Sequence, residues 1–159
     1  MVETRLITQP DHLREAFRIR EEVFVREQNV PAEEEYDAHE DVSRHFLALR
    51  DGQPCGTARW RFTDYGIKLE RFAVRKDFRG QGVGSALVQA VLDDIGAVEG
   101  TRGKLVYMHA QLTAMPLYAK FGFRPVGDRF EECAIPHYKM QRMPTEASAE
   151  GASFLKSEK

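Results

Sequence analysis

Apolar and polar positions along the chain fall into two periods. Over residues 68–74 they alternate, with Leu69, Arg71 and Ala73 on one side and Glu70, Phe72 and Val74 on the other, which predicts a strand. Over residues 85–95 they recur at helical spacing, and Leu87, Val88, Val91, Leu92 and Ile95 share a face. Upstream, residues 5–8 read as a strand, and Pro10-Asp11 opens a helix to about residue 28 with Leu13, Phe17, Val23 and Phe24 along one side. Residues 45–50 and 54–62 are two further strands joined by an Asp51-Gly52 turn. In the second, Ala58, Trp60 and Phe62 alternate with Arg59 and Arg61, giving one apolar and one basic face. Downstream lie a strand at 104–109, a short helix at 112–121 with Pro116 near its start, and strands at 123–127 and 134–142. The order β-α-β-β-β-α-β-α-β-β predicts an α/β fold with a mixed sheet of about six to seven strands flanked by helices. Its first half is antiparallel, because Thr63-Asp64-Tyr65-Gly66 reads as a tight turn between two alternating runs.

Composition narrows the class. The chain has 159 residues, enough for one domain with a sizeable core, and we expect that domain at 1–143. Residues 144–159 are small, polar and aperiodic, so a disordered tail is expected there. A formal charge of −2 without a basic tract argues against nucleic acid. No apolar run approaches the roughly 20 residues of a membrane span, and the first ten residues lack a hydrophobic signal region. Cys55 and Cys133 stand apart without metal-type spacing, which suits reduced thiols in a cytoplasmic protein.

Between the strand at 68–74 and the helix at 85–95 lies Arg79-Gly80-Gln81-Gly82-Val83-Gly84, with glycine at alternate positions. Without Cβ atoms the backbone N–H groups can approach a ligand closely. At a helix start they are unpaired and favour an anion. Strand, glycine loop and helix make a phosphate cradle with Arg79 at its mouth. No lysine follows as a P-loop needs, and Ser85 stands where a dinucleotide fingerprint needs glycine.

The spacing VxxxxRGxGxG, from Val74 to Gly84, resembles motif A of the GNAT superfamily of acyl-CoA-dependent N-acyltransferases. LYxKxGF, from Leu117 to Phe123, resembles that family's second motif. REEVFVREQNVPAEEE, GxARWR, KLERFAV, an Ala-Gln before the second helix and IPHYKM are closer still to its ElaA-like or YjcF-like branch. The resemblance implies a sheet splayed in the middle, with acetyl-CoA as co-substrate and no metal. Phe72, Ala73 and Val74 would offer main-chain groups to the pantetheine arm, and Arg79, Gly80, Gln81, Gly82, Val83, Gly84 and Ser85 would hold the pyrophosphate. Tyr118 falls where the family places a general acid, while Gln111 stands where it commonly has asparagine.

Transfer of an acyl group to an amine needs a base for the ammonium, a donor for the oxyanion and an acid for the leaving thiolate. A strand N–H near Ala73 suits the oxyanion, and Tyr118 suits the sulfur. Glu70, an acid in an otherwise apolar strand, is the leading base; the alternative is a salt bridge to Arg59, Arg61 or Arg20. His45, His109 and His137 are further candidates, each with a structural alternative. Arg20 interrupts an apolar stripe, either snorkelling at its edge or bracing a carboxylate at the cleft, and Arg59 either lines the cleft or is solvated. Glu131, Glu132 and His137 are placed at the acceptor pocket, together with Arg20, His45 and Arg59. Residues 29–44 read as an aperiodic acidic loop without metal-ligand spacing, either solvated or an acidic lip of Glu33, Glu34, Glu35, Asp37 and Asp41 that attracts a cationic amine. The expected protein is a cytoplasmic N-acetyltransferase, monomer or homodimer, acting on a primary amine of a small molecule or peptide by direct attack in a ternary complex. The alternative is a CoA-binding sensor or interaction module without transfer activity.

Overall fold

The computed structural model describes residues 1–142, so the tail expected at 144–159 lies outside the described residues. Strands β1 (Val2–Leu6), β2 (Arg44–Arg50), β3 (Gln53–Phe62) and β4 (Ile67–Val74) run antiparallel to one another in succession. β4 pairs in parallel with β5 (Val106–Gln111), and β5 is followed across the sheet by β7 (Ile135–Arg142) and then β6 (Arg124–Glu132), both pairings antiparallel. The result is one seven-stranded mixed sheet of order β1-β2-β3-β4-β5-β7-β6.

Helices cover both faces. Neighbouring residues of β2 divide between them: Phe46 and Ala48 join the main core with α3 (Val83–Ala97), while Leu47 and Leu49 pack with Ile19 and Val23. Ile19 belongs to α1 (Pro10–Arg20), which starts on proline, where the lost N–H has no ladder partner anyway. The chain continues from α1 as a π-helical segment, Glu21–Glu27, so the helix expected to about residue 28 is present but underwound at its end. Leu87, Val88 and Val91 of α3 are fully buried against Ile67 and Leu69 of β4, the face the helical spacing predicts. Short α4 (Met115–Ala119) adds Tyr118 to the same side.

β4 departs from the expected alternation. Ala73 pairs with Thr57 but Glu70 pairs with Arg59, so β4 spends one more residue than β3 over that interval. Arg71 absorbs the bulge at φ +58°, a left-handed conformation uncommon outside glycine and asparagine. The bulge shifts the phase by one. Leu69, Phe72 and Val74 therefore share the α3 face, and Ala73 joins the α1 side with Ile19 and Leu47. The two triads read from simple alternation are each split.

The aperiodic stretch at 29–44 is also more ordered than expected. It holds α2 (Ala32–Glu35), and Glu35 is only 2% exposed.

Candidate functional site

The pairing of β4 with β5 covers only Ile67–Val106, Lys68–Tyr107 and Leu69–Met108. Past Leu69 and Met108 the two strands part, and the β5-facing edge of β4 has no strand partner there. A cleft of about 760 Å³ fills the gap. It runs from Gly80, Gly82 and Ser85, past Phe72, Ala73, Val74 and Tyr118, to Glu70, His109, Glu132 and His137. Most of the residues marked in the sequence thus line one continuous space.

At one end stands the glycine loop. Gly80 and Gly82 adopt φ +77° and +86°, and Gly82 is the residue before α3 begins. A Cβ at either would meet nothing within 4 Å, so it would point into open cleft rather than into the protein. The first ladder bond of α3 runs from the Ala86 N–H to the Gly82 carbonyl. The N–H groups of Val83, Gly84 and Ser85 therefore precede it and have no partner among the described residues. Gly84 is small for a different reason: a Cβ there would approach Leu117 Cδ2 to 3.0 Å, so it lets α4 close on α3. Arg79 donates to the Val74 carbonyl at 2.9 Å and forms a two-pronged pair with Glu27 at 2.6 and 2.7 Å, which lowers the Glu27 pKa. This end fits a pyrophosphate: free amides, a helix N-terminus and one guanidinium. Gln81 turns its side chain to the Asp77 carbonyl and is exposed.

In the middle, Tyr118 is 6% exposed, edge-on to Phe72 at 5.7 Å and to Phe123 at 6.3 Å. Its hydroxyl has no hydrogen-bond partner among the described residues, and burial pushes its pKa up, which keeps it protonated. An orphaned buried hydroxyl costs stability unless something binds it. Gln111 spans the cleft, its amide donating to Gln28 Oε1 at 2.9 Å.

The α1 side is charged. Glu70 accepts from Arg61 at 2.7 Å and Arg59 at 2.9 Å and lies 3.3 Å from Lys68. Burial alone would raise its pKa, but the Arg61 hydrogen bond with the Arg59 and Lys68 charges holds the carboxyl at about 2. Such a carboxylate is committed to its ion pairs, the alternative the sequence left open, and is poorly suited to take a proton near neutrality. Arg20, 1% exposed, does brace carboxylates: it bonds Glu35 at 2.5 Å and Glu40 at 2.7 Å. Arg59, fully buried, reaches Asp37 at 2.7 Å and Glu40 at 2.8 Å as well as Glu70. Arg71 adds 2.9 Å and 3.1 Å contacts to Glu35 and Asp37. Burial opposes ionisation of Asp37, yet the Arg59 hydrogen bond wins and pulls its pKa well below the ordinary carboxylate range. Arg20 and Arg59 therefore lie behind the cleft wall. His45 stands behind it too, its Nε2 2.9 Å from the Glu40 carbonyl and its pKa lowered by burial.

The acidic lip must be corrected accordingly. Glu35 and Asp37 are buried or half-buried ion-pair members, while Glu33, Glu34 and Asp41 remain exposed.

Glu131 is exposed and does not line the cleft, whereas the next residue, Glu132, does. Glu132 accepts from His109 Nδ1 at 2.7 Å and lies 3.8 Å from His137 Nε2. Sequence reading did not foresee the His109–Glu132 contact, since 23 residues separate them and only the β5–β7–β6 order brings them together. Among the described residues no cluster of His, Cys, Asp or Glu could hold a metal ion, and no helix is long and apolar enough to cross a membrane.

Comparison with known proteins agrees with this geometry. Residues 8–143 match the model of the acetyltransferase (GNAT) domain. The chain is 42% identical over 133 residues to the uncharacterized N-acetyltransferase YjcF of Bacillus subtilis, covering 83% of this chain and 93% of that one. It is 31% identical over 129 residues to protein ElaA of Escherichia coli, covering 79% and 83%. The crystal structure of Escherichia coli ElaA superposes with a TM-score of 0.75 at 28% identity, over 89% of this chain and 99% of that one.

Proposed function

The chain belongs to the GNAT acetyltransferase family and is an acyl-CoA-dependent N-acyltransferase, and from that premise we propose that it moves an acetyl group from acetyl-CoA to a primary amine of a small molecule or peptide in the cytoplasm. One observation carries the reading: a single cleft joins a left-handed glycine loop at the start of α3 to the unpaired edge of β4 and the orphaned hydroxyl of Tyr118.

Acetyl-CoA would supply the activated acyl group; this chain's residues bind and orient it. The amides of Val83, Gly84 and Ser85 would take the pyrophosphate, with Arg79 exchanging Glu27 for phosphate oxygens. Past Leu69 the edge of β4 is left open by β5, and main-chain groups of Phe72, Ala73 and Val74 would be the ones offered to the pantetheine arm. Tyr118, held protonated by burial, would give its proton to the leaving sulfur. Transfer would be direct, without an acyl-enzyme. Cys133 is the one thiol lining the cleft, and its hydrogen bond to Glu34, with burial, pushes its pKa up to about 11, so it is not a thiolate. Cys55 is buried.

The test is thiol release from acetyl-CoA across a panel of amines and amino-terminal peptides. Release with one or more amines is expected. Tight CoA binding with no release would leave a CoA-binding module instead. In Tyr118→Phe, kcat should fall about 10²-fold with CoA affinity nearly unchanged, because the ring packing stays and only the donor goes. Full activity would return Tyr118 to a packing role.

A further inference from the structure

Glu70 is spent on Arg59, Arg61 and Lys68, which leaves the reaction without the base that the sequence marked first. The first residues past the last β4–β5 pair are Glu70 on one strand and His109 on the other. Met108 and Ala110 join the α3-side core, so His109 projects from the opposite face, where the acceptor end of the cleft lies. Its side chain is 28% exposed and lines that cleft.

The ring is oriented. Nδ1 lies 2.7 Å from Glu132 Oε2, and the His109 hydrogen bond is the main cause that lowers the Glu132 pKa. An ionised carboxylate only accepts, so in the neutral ring Nδ1 carries the proton and Nε2 the lone pair. Nε2 has no partner among the described residues. Phe130, edge-on at 5.1 Å, fixes the plane. His137 does not compete: its Nδ1 is bound to the Ile135 carbonyl at 2.6 Å, its side chain is 8% exposed beneath Phe130, and its Nε2 turns to Glu132. The other ionisable groups around His109 are Lys139, its cross-strand neighbour on β7, Tyr107 on its own strand, and Lys68 and Glu70 on β4.

From this geometry we infer that His109 is the general base of the acetyl transfer, with Glu132 as its positioning residue. The inference rests on the transferase reading above. The ammonium of the acceptor yields one proton to Nε2, directly or through a water, and frees its lone pair. That pair forms the C–N bond at the thioester carbon. The C–S bond breaks, and sulfur takes the Tyr118 proton. The surplus proton on nitrogen then restores the phenol, and His109 releases its own to water, so one proton leaves per turnover. Base and acid thus work from opposite faces of the splayed sheet.

Two measurements test it. Long-range proton–nitrogen NMR of the free protein, assigned with His109→Gln, should show the Nδ1–H tautomer of His109, and Glu132→Gln should lose it. An Nε2–H tautomer overturns the inference. For kinetics, acetyl-CoA is paired with ethylamine, largely ionised at neutral pH, and with 2,2,2-trifluoroethylamine, largely neutral. His109→Gln should lower kcat/KM about 10²-fold for ethylamine and far less for the fluorinated amine, which arrives deprotonated. Glu132→Gln should also lower kcat/KM for ethylamine more than for the fluorinated amine, because the ring is no longer held by an ionised carboxylate. Equal losses with both amines, or none, overturn His109 as base while the transferase reading stands. No thiol release by the unaltered enzyme with any amine removes that reading, and this one with it.

Discussion

On the α3 face of the sheet, Leu69, Phe72 and Val74 meet Leu87, Val88 and Val91 in an apolar core, and a loop of backbone amides lies at the rim. On the α1 face the same strand sends Glu70 into a buried mesh of Arg59, Arg61 and Lys68, joined through Arg59 and Arg71 to Asp37, Glu35, Glu40 and Arg20. One face is held by apolar burial, worth roughly 25 cal/mol per Å² and indifferent to pH and salt bridges. The other adds to a smaller apolar cluster a mesh of ions that repay their desolvation only while every partner is present. The bulge at Arg71 lets one strand serve both. Ligand binding and fold stability should therefore be separable by substitution.

The largest expected effect separates them from the α3 side. Gly82→Val forces a branched residue into φ +86° and sets its methyls in the open space before the free amides of α3. Calorimetry should show CoA affinity reduced by more than about 10²-fold, roughly 3 kcal/mol or greater. Nothing lies within 4 Å of that Cβ, so the loss of stability should be confined to the strain of a left-handed Cβ, about 1–2 kcal/mol or somewhat more for a branched side chain, and the variant should still fold. Unchanged affinity in the folded variant would break the assignment of this loop.

From the α1 side comes the reverse dissociation. Glu35→Gln leaves Arg20 and Arg71 facing a neutral amide in a site 2% exposed. Removing one member of a buried pair typically costs ~3–5 kcal/mol. For a domain of this size that is a fall of roughly 10 °C in Tm. Glu33→Gln, on an exposed neighbour, should shift Tm by less than a degree or so. Equal Tm for the two variants would mean that the mesh holds nothing.

How far the sequence spoke follows the same division. The glycine loop, α3 and Tyr118 are local motifs: Gly80, Gly82 and the Leu87–Val88–Val91 stripe declare themselves within a few residues, so the loop, the helix and the tyrosine were legible where the cleft has them. The mesh is not local. Arg59 meets Asp37 across 22 positions and Glu132 meets His109 across 23, and only the tertiary fold makes them neighbours. Acidic residues 33–41 look like a solvated run because single-residue polarity cannot tell a charge in water from one facing a buried arginine. The bulge was equally silent, for Arg71 carries none of the glycine or asparagine preference that marks a left-handed position.

Acid should dissolve one face before the other. Glu70 sits at about 2 in the fold against an ordinary 4.5, so its contribution is complete above about pH 4.5 and is lost as pH falls through about 2. That is on the order of 3 kcal/mol from this carboxyl. Asp37, also depressed, acts with the same sign. Stability followed by urea unfolding should fall steeply between pH 4.5 and 2, and the fall should be shallower in Glu70→Gln, which begins less stable at neutral pH. Glu70→Gln should keep the acidic limb of its pH–rate profile if His109 is the base. A limb that vanishes with Glu70 would return the proton to that carboxylate.

The smallest effect belongs to the turn that carries Glu132 to His109. Glu132 pairs with Ile135, so Cys133 and Ala134 are the two residues of the β6–β7 hairpin loop, at φ +51° and +63°. Two-residue loops of that shape favour Asn-Gly, because a Cβ in the left-handed region costs about 1–2 kcal/mol. Glycine gives part of that back through its greater freedom in the unfolded chain, about 0.5–1 kcal/mol. Ala134→Gly should therefore stabilise by only about 0.5 kcal/mol, or roughly 1–2 °C in Tm. The side chain of Glu132 is 45% exposed, so its grip on His109 depends on the strand beneath it rather than on burial. If the strained turn sets that strand, Ala134→Gly should leave kcat and the pH profile unaltered while Tm rises. A gain in Tm with a loss of kcat would instead mean that the left-handed alanine stores strain used to aim the carboxylate, and would tie the hairpin to the chemistry rather than to the fold.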